Sequence, residues 1–161
     1  MSSPDPVPDV GPDAGTSAID RLLAECRRGL DRVRPEDLAA ESSAGALVVD
    51  TRPVEQRDRD GELPGAVVID RNVLEWRLDP TSPDRIPEAD DSQRRVIIVC
   101  NEGYSSSLVA STLQRLGLPN ATDLEGGFQA LLRPAAAAAR GGVACGPGGE
   151  SGPHQRERRC G

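Results

Sequence analysis

Arg95-Val-Ile-Ile-Val-Cys100-Asn-Glu-Gly-Tyr-Ser105-Ser-Ser-Leu-Val109 is the stretch that decides the fold. It begins with a short, unbroken apolar run rich in Val and Ile, the pattern of a strand buried on both faces of a parallel sheet. From Ser105 the pattern changes: Leu108, Val109, Thr112, Leu113 and Leu116 share one helical face, and Gly117 follows as a C-terminal stop. A strand that ends in cysteine and passes through a short loop into a helix sets that cysteine at the carboxyl edge of the sheet. Open α/β sheets bind their ligands there.

The flanking sequence repeats the pattern. Ala46-Leu-Val-Val-Asp50 and Ala66-Val-Val-Ile-Asp70 read as two more buried strands, Ala121-Thr-Asp-Leu124 as a weaker fourth, and the region of Val33 as a fifth. Helices are expected over Ala18–Leu30, with Ile19, Leu22, Leu23, Cys26 and Leu30 on one face, over Pro35–Glu41, Ser105–Leu116 and Gly127–Leu132. Alternation of strands and helices specifies an α/β fold with a parallel sheet. The chain of 161 residues has room for one such domain, expected over 17–133. Residues 1–16 are rich in Pro and Asp, and 134–161 run from alanine repeats into Gly, Pro and Arg. Both read as disordered tails. With Phe128, Trp76 and Tyr104 the only aromatics, the core has to be aliphatic.

Composition removes several chemistries. Every basic side chain apart from one histidine is arginine, so there is no lysine for a Schiff base or a P-loop. The single histidine, His154, lies in the C-terminal tail, which leaves the ordered part without a Cys–His dyad, a Ser–His–Asp triad or most zinc sites. Cys26, Cys100, Cys145 and Cys160 form no CxxC pair. No metal or cofactor is therefore expected. A formal net charge of −7 gives no footprint for nucleic acid or an anionic membrane, and no apolar run is long enough to span a bilayer. Without a signal-like N-terminus the expected location is the cytoplasm.

A nucleophile in this chain needs activation by backbone and position. The loop after Cys100 can curl its amides around one point, with Gly103 supplying a positive φ and Ser105 or Ser106 capping the helix. A thiol at the mouth of such a nest should have a lowered pKa, because only its anion gains from the amides and the helix dipole. The bland alternative is a buried structural cysteine at the end of a strand.

At this point the sequence resembles the rhodanese family. Asp50-Thr-Arg52 matches the family's Asp-x-Arg, and Gly61-Glu-Leu-Pro-Gly-Ala66 is similar to its Gly-His-Ile-Pro-Gly-Ala turn. Cys100-Asn-Glu-Gly-Tyr-Ser105 resembles the six-residue loop that opens with the persulfide cysteine, and Thr122-Asp-Leu-Glu-Gly-Gly-Phe128 the closing Gly-Gly-Phe segment. Arg71–Pro80 looks like stand-alone actinobacterial members. The resemblance implies a five-stranded parallel sheet with helices on both faces and sulfur transfer through a Cys100 persulfide. It also implies a cradle of Asn101, Glu102, Gly103, Tyr104 and Ser105, supported by Asp50 and Arg52. The implied partners are a small sulfur donor such as thiosulfate or a persulfide, or a protein that gives or takes sulfur. A non-catalytic or carrier-type module is the alternative.

Three positions depart from the family pattern: Glu62 replaces the usual His, Leu131 replaces an aromatic, and Glu102 puts an acid where thiosulfate users often carry a base. Arg71 and Arg77 are candidates to attract an anionic donor, against an ordinary solvated role. Cys26 reads as core, and Cys145 and Cys160 as incidental tail thiols or sulfur acceptors. A cysteine phosphatase would need Arg six positions after Cys100, where Ser106 stands.

Overall fold

The computed structural model describes residues 16–138, with side chains to residue 133. Its central sheet has four parallel strands: β1 (Leu47–Asp50), β2 (Val67–Val68), β3 (Val96–Val99) and β4 (Ala121–Asp123), in the order β2-β1-β3-β4. The fifth strand expected near Val33 is reduced to one parallel bridge between Val33 and Leu124, beside β4. Along β1 and β3 the side chains alternate between two aliphatic clusters, as strand geometry requires. Leu47, Val49, Val96 and Ile98 face one cluster with Leu74, Leu78, Val109 and Leu113, and Val48, Ile97 and Val99 face the other with Leu38, Leu124 and Phe128.

Among the described residues six α-helices surround the sheet: α1 (Ala18–Arg28), α2 (Leu38–Ser43), α3 (Val54–Asp60), α4 (Leu74–Leu78), α5 (Ser105–Arg115) and α6 (Gly127–Ala138). α4 and α5 supply one cluster, and α2 and α6 the other. α1 packs on α5 and is capped by Ser17, whose hydroxyl accepts from the Asp20 amide. Only Leu23 of its apolar face is fully buried; Ile19 and Leu22 are half exposed.

The segment Ala66–Asp70, expected as a buried strand, forms only two ladder residues, one half-buried and one exposed. It is an edge strand with β1 as its single neighbour. Asp70 then accepts from the Asn72 amide at 2.7 Å and turns the chain out of the sheet. Short edge strands of this kind limit pairing with other chains. The loops at the carboxyl ends of β1 and β3 lie side by side, and they build the site.

Candidate active site

Parallel pairing of β1 with β3 aligns Asp50 with Val99, so Thr51 and Arg52 emerge next to Cys100. The side chains of Thr51, Arg52, Pro53, Gln56, Arg71, Cys100, Asn101, Glu102, Tyr104 and Ser105 line an open pocket of about 410 Å³. The sequence had named seven of these ten positions. Thr51, Pro53 and Gln56 had no signal of their own: the first two lie between β1 and α3, and Gln56 lies in the first turn of α3.

Cys100 is 7% exposed at the floor of this pocket. The amide of Gly103 donates to its sulfur at 3.1 Å, and Ser106 Oγ lies 3.1 Å away on the other side. Burial pushes the thiol pKa up. Hydrogen bonds from the Ser106 and Ser105 side chains and from the Ser106 and Gly103 amides outweigh it, so the net shift is downward. The expected helix cap is different, however. Tyr104 occupies the N-cap position of α5 and makes no side-chain cap bond, and the hydroxyls of Ser106 and Ser107 go to other partners. Ser106 turns to the sulfur and to Asp123, and Ser107 to Asp123 and the Gly103 carbonyl.

Behind the loop stands a wall of backbone. The Phe128 amide donates to the Cys100 carbonyl at 2.8 Å and the Gln129 amide to the Asn101 carbonyl at 3.0 Å. Gln129 Nε2 also reaches Asn101 Oδ1 at 3.1 Å. Gly103 (φ +79°) lies against Gly126 and Gly127 so closely that a Cβ there would stand 2.7 Å from the Gly126 nitrogen. The Gly126-Gly127 pair is thus needed for close approach, as the loop rests directly on it.

Asp50 and Arg52 form a buried, forked ion pair, with Nη2 to Oδ2 at 2.8 Å and Nε to Oδ1 at 3.0 Å. Neither residue is more than 2% exposed. The Arg52 guanidinium also donates to the Gly61 carbonyl at 2.9 Å and lies 3.4 Å from the centre of the Phe128 ring. Its Nη1 is buried and has no hydrogen-bond partner among the described residues. Arg71 borders the pocket while paired with Glu75 at 3.0 Å. Arg77 does not border it: at the end of α4 it donates to the Asp84 carbonyl. Glu102 is exposed at the pocket wall and has no ion-pair partner among the described residues. Cys145 and Cys160 lie outside the described residues. No group of three or more His, Cys, Asp or Glu among the described residues could hold a metal ion, and no helix there is long and apolar enough to cross a membrane.

Arg27, Arg32 and Asp123 were missed by the sequence reading. Arg27 and Arg32 donate to the Gly103 carbonyl at 2.7 and 3.4 Å, and Arg32 forks onto the fully buried Asp123. Asp123 closes its short strand with a buried carboxylate, as Asp50 does, and that regularity could have singled it out.

Residues 34–133 match the profile of the rhodanese-like domain. Over 98 residues the chain is 32% identical to thiosulfate sulfurtransferase GlpE of Stutzerimonas stutzeri, covering 61% of this chain and 81% of that one. A Rhodopseudomonas palustris protein of unknown function, described as a possible tyrosine phosphatase, superposes with a TM-score of 0.66 at 30% identity, covering 78% of this chain and 96% of its own. A human single-domain sulfurtransferase shares the fold, with a TM-score of 0.52 at 21% identity over 63% of this chain and 95% of that one. A profile match across most of the chain, together with these relatives, shows that the chain belongs to the rhodanese-like domain family.

Proposed function

We propose that the protein is a sulfurtransferase that carries sulfur on Cys100. The observation that carries this reading is the Cys100 sulfur on the pocket floor, stabilised as an anion by serine hydroxyls and loop amides without a histidine. With thiosulfate, the Cys100 thiolate attacks the outer sulfur. The new S–S bond forms as the S–S bond of thiosulfate breaks, and its electron pair leaves on sulfite. The persulfide then gives its outer sulfur to a nucleophilic acceptor, which returns Cys100 to the thiolate. Asp50 and Arg52 support the loop from β1 through their buried ion pair. The GlpE relative supports a small donor of the thiosulfate kind. Phosphate-ester hydrolysis is disfavoured, since Ser106 stands where an oxyanion-clamping Arg would be needed and is turned inward to Asp123. Incubation with thiosulfate, followed by intact-mass analysis and peptide mapping, should show one added sulfur on Cys100. Unmodified protein after treatment with thiosulfate and with a persulfide donor would refute the reading.

Glu102 tunes the choice of donor. Arg52 and Arg71 are each neutralised by a carboxylate, whereas Glu102 is not, so the uncompensated charge on the pocket wall is negative. Charges about 6–8 Å apart at an effective dielectric of about 20–40 repel by roughly 1–3 kcal/mol. Thiosulfate should therefore be a weak substrate, and Glu102→Arg should lower its KM by about tenfold, with less gain at high salt. Steady-state kinetics at two ionic strengths check this. Unchanged KM would mean that the carboxylate does not select the donor.

A further inference from the structure

A chain of hydrogen bonds leads from the Cys100 sulfur into the protein, away from the pocket. Ser106 Oγ is 3.1 Å from Cys100 Sγ and donates to Asp123 Oδ2 at 2.9 Å. Ser107 Oγ donates to the same carboxylate oxygen at 2.7 Å, and Arg32 holds the carboxylate through Nε at 2.8 Å and Nη2 at 3.1 Å. Arg27 bonds Ser107 Oγ at 3.1 Å and the Gly103 carbonyl at 2.7 Å. Both arginines precede residue 34, outside the segment that the family profile matches.

A hydroxyl carries one proton. Ser106 can offer it to Asp123 or to the sulfur, but not to both. While Cys100 is a thiol, its S–H donates to Ser106 Oγ and Ser106 donates to Asp123, so every member is satisfied. Once the sulfur is an anion it accepts only, and Ser106 has to turn its proton toward it. Asp123 is then left with Ser107 and Arg32, which is enough to keep the buried carboxylate paired.

We propose that Asp123 is a positioning residue for Cys100, competing with the sulfur for the Ser106 proton and so setting how readily the sulfur anion forms. The proposal rests on Cys100 being the sulfur-carrying nucleophile and names the control on its reactivity. The other charged groups around the sulfur are Arg52 with Asp50, Arg71 with Glu75, Glu102 at the mouth, and Arg27 and Arg32 behind the loop. None of them is substituted in the variants below; Asp123→Asn leaves Arg32 without its carboxylate, and the Ser106→Ala background controls for that change of charge.

The test is the rate of alkylation by iodoacetamide against pH, read at Cys100 by peptide mass spectrometry so that the other cysteines do not interfere. In the wild type the rate should rise through an inflection below the free-thiol value of about 8.5. Ser106→Ala removes the donor and should move the inflection up by about one to two pH units. Asp123→Asn keeps the shape but removes the charge that holds the Ser106 proton, since an amide here either donates to Ser106 Oγ or accepts from it far more weakly than a carboxylate. The Ser106 proton then points at the sulfur, and the inflection should fall by about one unit. In the Ser106→Ala background, Asp123→Asn should have no further effect, which is the signature of coupling through the hydroxyl. A fall of equal size with and without Ser106 would mean that the carboxylate acts only as a charge through space, and would overturn the proposal. So would an inflection unmoved by Asp123→Asn. Should Asp123→Asn fail to fold, Ser107→Ala gives a second reading. It touches the carboxylate and not the sulfur, leaves Asp123 holding Ser106 more tightly, and should raise the inflection; no change there would equally overturn the proposal. Alkylation consumes no sulfur donor, so these shifts would appear even in a chain that never forms a persulfide.

Discussion

Cys100→Ser is expected to abolish sulfur transfer, by roughly a thousandfold or more, as when a covalent nucleophile is removed. A serine hydroxyl at this point is a poor nucleophile for sulfane sulfur, and there is no histidine among the described residues to deprotonate it. The fold should hardly notice. Oxygen can still accept from the Gly103 amide and pair with Ser106, so stability should change by no more than about 1 kcal/mol. The measurement is donor turnover alongside the thermal midpoint. A folded variant that keeps more than a trace of turnover would remove the persulfide from the mechanism. A variant that loses turnover only because it unfolds would identify Cys100 as a structural residue.

The second large effect should come from a position that carries no chemistry. Gly127 has φ +60°, and a Cβ there would stand 2.5 Å from the Cys100 carbonyl oxygen, 2.6 Å from the Gly103 nitrogen and 2.7 Å from the Asn101 carbonyl carbon. All three are backbone atoms of the loop, so no flexible side chain can move aside. Left-handed strain of about 1–2 kcal/mol adds to overpacking of about 1–3 kcal/mol. Gly127→Ala should therefore lose roughly 2–5 kcal/mol of stability, and the residual folded protein should lose most of its Cys100 reactivity as the loop is pushed off its seat. Gly65→Ala is the control: its φ is +77° but nothing lies within 4 Å of the added carbon. It should show only the backbone cost and keep its activity. Equal losses in both variants would mean that close approach of the loop is not what Gly127 provides. Denaturant unfolding and turnover of the two variants, measured side by side, decide it.

The parts of the molecule that could be read from the sequence are those whose signal is local. β1 and β3 are apolar runs, β4 is a weaker signal beside Leu124, α5 has a 3.6-residue repeat, and each is found within a residue or two of its expected place. β2 was overestimated because Ala66–Ile69 is apolar enough for a central strand, and hydrophobicity alone does not say that the strand has one neighbour. α3 left no trace, since Val54–Asp60 has a single apolar residue, itself exposed. The same rule governs the site. Cys100, Gly103 and the Asp50–Arg52 pair lie in short motifs at strand ends, and the structure brings them together. Arg77, chosen for its charge alone, ends on a backbone carbonyl away from the pocket. Arg27 and Arg32 were invisible because the partners they hold lie between 71 and 91 residues away in the chain. Their roles exist only once α1 and the turn after it have packed behind the loop.

The two arginines behind Gly103 carry a lesson about what counts as the working unit. They come from a margin that precedes the family's recognisable span, yet they grip the backbone of the loop that follows Cys100. A loop sequence transplanted between relatives would bring its cysteine and its amides but leave these clamps behind. Two proteins identical from Cys100 to Ser107 can thus hold the same thiol at different tension, and selection can retune it by editing a helix and a turn that do not line the pocket.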